Sequence, residues 1–215
     1  MLIQGQVGAP ALNASLGPGA NPPVRQGNMG DLIVSELHGR FYETNYRGSL
    51  FGLALNAITV GSTNITPVNG TNTTPLAFIY NPIGSGKNLS MVKITQSLVS
   101  GTPGGPFVWN VVAFPQTVTN ATTTAPFNMS TMLQYGSIAK TYIQQAVGSS
   151  TVTGTAFRTA GGFAASAAGA GVATYTEEYA GDFIIPQGVA VALCAYAAGT
   201  SHIFSAFVEW EELPV

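Results

Sequence analysis

From residue 31 onward the chain is a series of short apolar runs, each ended by Gly, Pro or Asn. This punctuation leaves little room for long helices. Residues 50–60 carry Leu53, Leu55, Ala57 and Thr59 at period two. Residues 76–80 follow a Gly/Thr/Asn loop at 61–75 and end at the turn Asn81-Pro82-Ile83-Gly84-Ser85-Gly86. The run 89–99 reads as one long strand. Leu89, Met91, Lys93, Thr95, Ser97 and Val99 fall on one face, and Val92, Ile94 and Leu98 on the other. Further runs occupy 31–37, 107–114, 151–159, 175–185, 189–195 and 203–211. In the last, Phe204, Ala206, Val208 and Trp210 share one face, and Ser205, Phe207, Glu209 and Glu211 the other. Alternation at two residues, without a sustained 3.6-residue period, predicts β-strands. No fixed long repeat is present, which argues against a solenoid or propeller. Roughly eight strands in two sheets predict an all-β, jelly-roll-like sandwich or barrel. Residues 129–147 are compatible with a short helix or with a strand pair. Residues 161–171 form an Ala/Gly stretch suited to close packing or to a loop.

Charge is the next constraint. The 215 residues include only 7 Lys+Arg and 9 Asp+Glu, and 46% are hydrophobic. Charged residues are 7% of the chain, against about 25% in a usual soluble domain. A monomer so sparsely charged is predicted to associate, which makes a homo-oligomer the expected state. With no basic patch, nucleic-acid binding and a polybasic membrane anchor are both disfavoured. The opening residues lack the basic and apolar regions of an export signal. No apolar stretch reaches the roughly 18 residues of a spanning helix.

Residues 1–30 are predicted to be an extended arm, and 31–215 the β-sandwich domain. Ten Gly and Pro residues between Gly5 and Gly30 exclude a regular helix there. The spaced apolar residues Leu2, Ile3, Val7, Leu12 and Leu16 suit either a docking arm or a loose terminus, and the docking reading makes them interaction residues. Between them and the sandwich lies the most charge-rich segment, 31–47. There Arg40, Tyr42, Tyr46 and Arg47 form a second candidate contact set, because Arg and Tyr are favoured at interfaces.

Chemical motifs are weak. Gly84-Ser85-Gly86-Lys87-Asn88 resembles a phosphate loop, but the required first glycine is Asn81 and Asn88 stands where Ser or Thr belongs. A hairpin turn is the expectation. His38 and His202 lack metal-pair spacing, and no Gly-x-Ser-x-Gly elbow exists to serve a triad with Asp31 or Asp182. Cys194, the single cysteine, sits in an apolar run and is expected to be buried. No catalytic, metal or cofactor site is predicted. The neighbours Glu177-Glu178 and Glu211-Glu212 should point to opposite faces. Glu209 and Glu211 share a face. Either they end a solvated or Arg-paired strand, or they meet Arg40, Arg47 or Arg158 at a subunit interface.

A resemblance follows from four segments. They are 30–43 with Tyr46-Arg47-Gly48, Asn81 to Leu89, Ile184-Ile185-Pro186-Gln187-Gly188, and Trp210-Glu211-Glu212-Leu213-Pro214. Together they resemble virion proteins of tailed bacteriophages, of the jelly-roll head decoration, or cement, type. The resemblance implies a structural, non-enzymatic protein on the virion head surface, made in the host cytoplasm and often trimeric. Its partner would be the major capsid protein or another virion protein. The alternative expectation is a fibre-tip or receptor-binding module, with ligands on loops such as 61–75 and 116–128.

Overall fold

Alternating apolar side chains need a surface on each side of the sheet that carries them, and here two sheets supply it to one another. The structure is a computed structural model that describes residues 5–7, 24–26, 39–60, 71–72, 76–101, 106–113, 124–143, 152–162, 174–195 and 202–215. Its elements run β1 (Gly5–Val7), β2 (Val24–Gln26), α1 (Tyr42–Tyr46), β3 (Leu50–Val60), β4 (Thr71–Asn72) and β5 (Ala77–Tyr80). They continue with β6 (Lys87–Ser100), β7 (Pro106–Ala113), β8 (Phe127–Asn128), β9 (Lys140–Ile143) and β10 (Val152–Gly162). The last are β11 (Thr174–Glu178), β12 (Ile184–Ile185), β13 (Val189–Ala195) and β14 (His202–Pro214).

One sheet has the order β11-β6-β14-β3-β8, with β12 also on β6; the other has β4-β10-β7-β13-β5-β9. Every pairing within them is antiparallel. Let β3, β5, β6, β7, β10, β11, β13 and β14 be lettered B to I. The sheets then read B-I-D-G and C-H-E-F, the double Greek key of a jelly roll. The all-β sandwich expected from the sequence is therefore the observed fold. Contacts divide the chain into two units, Met1–Tyr42 and Glu43–Val215. In the first, β1 and β2 pair in parallel. The expected boundary between Gly30 and Asp31 lies outside the described residues, as does the strand expected at 31–37.

The core lies between the sheets. Phe51, Leu53, Leu55, Leu89, Met91, Ile94, Phe204, Val208 and Trp210 come from one sheet, and Ile79, Phe107, Trp109, Val191 and Leu193 from the other. Phe107 and Phe204 join the two, with ring centroids 5.0 Å apart. Gln96 also crosses the core, its Nε2 donating to the Ala160 carbonyl of the facing sheet. A second buried cluster, including Phe78, Val112, Ala192 and Cys194, occupies the other face of the β5-β13-β7 region. Cys194 is buried there as expected, and its Sγ accepts from Asn110 Nδ2 at 3.2 Å.

The sequence pattern fails instructively in two strands. The expected single alternation through 89–99 is broken at Val92. Trp210 lies opposite Met91 while Glu209 lies opposite Lys93, so Val92 is an extra residue on β6. This bulge resets the phase. Leu89 and Met91 face the core, and beyond the bulge Ile94, Gln96 and Leu98 take over that side. Lys93, Thr95 and Ser97 thus do not share a face with Leu89 and Met91. Thr95 and Ser97 instead meet Thr176 and Thr174 of β11 through hydroxyl contacts. The run 175–185 is likewise not one strand. It divides into β11 and β12 around a turn in which Asp182 N donates to Tyr179 O. Ala180 and Gly181 both have positive φ there. In the open stretch 129–147, the structure places a turn after β8 and then β9.

Gly161, near the end of β10, has φ +76°, and a Cβ there would meet the Tyr175 ring at 2.1 to 2.7 Å. The Tyr175 side chain is exposed and can swing aside, so the backbone strain is what remains. Gly161→Ala is expected to cost about 1–2 kcal/mol, the left-handed penalty for an L-residue. Thermal unfolding measures it, and the cost should persist when Tyr175 is also changed to Ser. A neutral Gly161→Ala would show that β10 relaxes freely at this point.

Candidate functional site

Three segments singled out in the sequence, 81–89, 184–188 and 210–214, converge at one end of the sandwich. Asn81 is fully buried and acts as a hub. Its Nδ2 donates to the carbonyls of Lys87 (2.9 Å) and Ile185 (3.0 Å), and its Oδ1 accepts from Ser85 Oγ at 2.8 Å. Its backbone carbonyl accepts from Gly188 N at 2.8 Å. One residue thereby holds together the β5–β6 turn and β12 through its side chain, and the Pro186-Gln187-Gly188 turn through its backbone carbonyl. Lys87 is the first residue of β6, so the segment does not open a helix as a phosphate loop would. Nor is it the expected hairpin: β5 and β6 lie in different sheets, and the turn carries the chain from one to the other.

Glu212 closes the same end. Its side chain is fully buried, and Lys87 Nζ donates to its Oε2 at 3.1 Å. Ser137 Oγ donates to Oε1 at 2.6 Å, and Ile138 N donates to the same oxygen at 3.0 Å. A buried carboxylate is tolerated only when its lone pairs are matched in this way. Glu212 thus ties the C-terminal strand to both the start of β6 and the loop before β9.

That loop forms one wall of a cleft of about 320 Å³. Tyr135, Ser137, Lys140 and Tyr142 line it on this side, and Thr124 and Pro126 on the other. The walls are joined where Thr124 N donates to Thr141 O and Thr141 Oγ1 donates to Thr124 O. Burial, with Tyr80 close by, pushes the Tyr142 phenol above its ordinary pKa. Lys140 is exposed at the cleft. The other two lysines, Lys87 and Lys93, are held by Glu212 and Glu209; among the described residues Lys140 has no carboxylate partner. Sequence reasoning missed this cleft, because 116–128 read as loop and 129–147 stayed unassigned. A signal was present: Lys140 is the one charged residue between Lys93 and Arg158.

A second charged group lies at the β11–β12 turn. Arg158 Nε contacts Glu177 Oε1 at 3.1 Å, and its Nη1 contacts Asp182 Oδ2 at 2.8 Å. The guanidinium stacks 4.9 Å from the Tyr179 ring centroid. The hydrogen bond to Asp182, more than the one to Glu177, raises the Arg158 pKa against the opposing effect of burial. Tyr179 OH accepts from Trp109 Nε1 at 2.7 Å, and burial raises its pKa despite that bond. These contacts are all structural.

Glu209 has a partner within the chain that is none of the expected arginines. Glu209 pairs with Lys93 at 3.3 Å. Arg158 is occupied as above, Arg47 holds Glu43 at 2.7 Å, and Arg40 lies over the Phe41 ring. Glu209 is therefore matched across the strand pair β6–β14, where cross-strand neighbours reach one another most easily. The adjacent glutamates do split between faces: Glu177 and Glu212 turn inward, and Glu178 and Glu211 outward.

Of the predicted contact set, Tyr42 and Tyr46 are exposed at 47% and 73% on the short helix α1. Arg47 lies just after that helix, paired as above. Leu2, Ile3, Leu12 and Leu16 lie outside the described residues, as does His38; Val7 is placed only as the last residue of β1. The described residues contain no cluster of three or more His, Cys, Asp or Glu that could hold a metal. The chain matches no protein-family model, no curated protein and no solved structure.

Proposed function

We propose that the chain is a structural virion protein, a capsid decoration protein that fastens neighbouring major capsid subunits on the head surface and works as a trimer. The observation that supports this reading best is an exposed aliphatic rim on a rigid frame. Ile83, Ile184, Leu213 and Val215 stand out around the Asn81 hub, Ile83 at 78% and Val215 at 80% exposure. Register brings them together. Ile184 lies opposite Ser90 and Leu213 opposite Asn88 on β6, and Val215 N donates to Gly86 O at 3.2 Å. Lys87 and Glu212 at this end are turned onto each other, which leaves Glu211, opposite Ser90, as the outward charge at the border of the rim. Exposed apolar groups rimmed by polar residues mark interaction surfaces. A protein that binds only the assembled shell stabilises that shell by linkage.

The test is to mix purified full-length protein with undecorated shells of its own virion. It should co-sediment to saturation and raise the temperature at which the shells come apart. The double variant Ile83→Asp/Ile184→Asp should bind at least about tenfold more weakly, roughly the 1.4 kcal/mol of one lost apolar contact. Its own unfolding temperature should stay unchanged, because both residues are exposed. Absence of co-sedimentation, or undiminished binding by the double variant, removes the support for this reading. Binding to host cells without shells would favour a receptor-binding module.

A further inference from the structure

Fastening a shell makes no use of the cleft between 124–126 and 135–142, whose lining has a chemistry of its own. We propose that this cleft binds an acidic sugar residue, a pyranose ring that carries a carboxylate. Four features of the site point to that ligand. Lys140 supplies an exposed ammonium that no carboxylate of the described residues neutralises, in a protein whose other lysines are both paired. Tyr135 is 54% exposed and borders the cleft, so its ring offers an apolar face to the C–H face of a sugar. Tyr142, nearly buried at 9% exposure, keeps its phenol protonated and able to donate to a ring hydroxyl. Thr124, Ser137 and Thr141 add hydroxyls to a lining that also holds Ala125, Pro126 and Ala139; those of Ser137 and Thr141 already donate to Glu212 and to the Thr124 carbonyl, so towards a ligand they can only accept.

Size and stiffness agree with these groups. About 320 Å³ lies at the small end of ligand clefts, enough for one ring. The walls are already held, by the Thr124–Thr141 hydrogen bonds on one side and by Glu212 on Ser137 and Ile138 on the other. Little ordering is left for the ligand to impose, which favours binding by a small molecule. An acidic side chain of a protein partner would satisfy Lys140 but leave the Tyr135 face uncovered. A phosphate would find a single cation and no second one in the lining. The proposal does not depend on shell binding.

The affinity of one such site should be weak, with Kd of about 1 mM, and multiple copies would multiply it. The test titrates D-glucuronate into isotope-labelled full-length protein and follows backbone amide shifts. D-glucose, acetate and N-acetyl-glutamate amide, at matched ionic strength, are the comparison probes. Glucuronate should give saturable shifts confined to 124–126 and 135–142. Lys140→Ala and Tyr135→Ala should each weaken binding about tenfold while leaving the unfolding temperature unchanged, since both side chains are exposed. The proposal is overturned by any of four results. Glucuronate gives no saturable shift up to about 50 mM, far above the expected Kd. Acetate binds as well, showing ion pairing alone. Glucose binds as well, showing no use for the carboxylate. N-acetyl-glutamate amide binds more tightly, showing a site for acidic protein side chains.

Discussion

Lys87→Met is expected to destabilise the protein by about 3 kcal/mol, and to cost more than Glu212→Gln at the other end of the same ion pair. Burial sets this order. The Glu212 side chain is fully buried, whereas the Lys87 side chain is 33% exposed. Removing the lysine leaves a buried carboxylate with only Ser137 Oγ and Ile138 N to stabilise it. Removing one partner of a buried pair costs about 3–5 kcal/mol, and the partly exposed geometry places this case at the lower end. Glu212→Gln removes the charge instead. Its amide oxygen can still accept from Ser137 and Ile138, and Lys87 can turn towards water, so about 1–2 kcal/mol is expected. The double variant Lys87→Met/Glu212→Gln should be more stable than the sum of the single losses implies, by roughly 1 kcal/mol or more. Denaturant midpoints at constant slope provide the measurement. At about 2–4 °C per kcal/mol for a chain of this size, the single Lys87 variant should melt roughly 6–12 °C lower. Hydrogen exchange at the Ile138 amide should quicken in Glu212→Ala, which removes its acceptor altogether. Strict additivity in the double variant would mean that the two residues are not energetically coupled.

The core contact between Trp109 and Tyr179 carries the second large effect. Trp109 is fully buried on β7, its ring set edgewise to Phe183 at 5.6 Å between centroids. Trp109→Ala is expected to cost about 3–5 kcal/mol, from lost burial together with the cavity left behind. Tyr179→Phe isolates the polar part of the same contact. The ring remains under Arg158, but Trp109 Nε1 loses its acceptor inside the core. A buried donor left unmatched costs about 1–3 kcal/mol, a large effect for the loss of one oxygen. The same change should alter the tryptophan near-ultraviolet dichroism, because the hydrogen bond fixes the indole orientation. A neutral Tyr179→Phe with unchanged dichroism would show that the indole N–H is satisfied elsewhere. Phe183 packs edge-on against Tyr179 as well as Trp109, so this cluster also fixes the turn between β11 and β12.

Legibility in the sequence followed the range of the interaction. The faces of β14 were readable because burial there follows simple alternation: Phe204, Ala206, Val208 and Trp210 are all in the core. The turn at 81–86 was readable because Asn, Pro and Gly act on the backbone locally. Burial of Cys194 followed from its apolar run. The β6 bulge was not readable, since Val92 becomes an extra residue only when β14 is laid beside it. The cleft had the same difficulty. Lys140 stood out in the composition of its neighbourhood, but Tyr135, Thr124 and Tyr142 come together only through the pairing of 124–126 with β9.

By itself, then, the sequence determined an all-β class, the turns at 81–86 and 186–188, and a chain with too little charge to cover an apolar surface. Those properties come from period-two hydrophobicity, local backbone preference and composition, none of which requires knowledge of a distant partner. The tertiary structure alone decided which strands are neighbours, where the alternation changes phase, and how the few charges are used. Lys87 and Glu212 lie 125 residues apart in the chain and 3.1 Å apart in the fold. Their meeting depends on the register of β14 against β6, which is a cooperative result of packing two whole sheets and is written in no single segment.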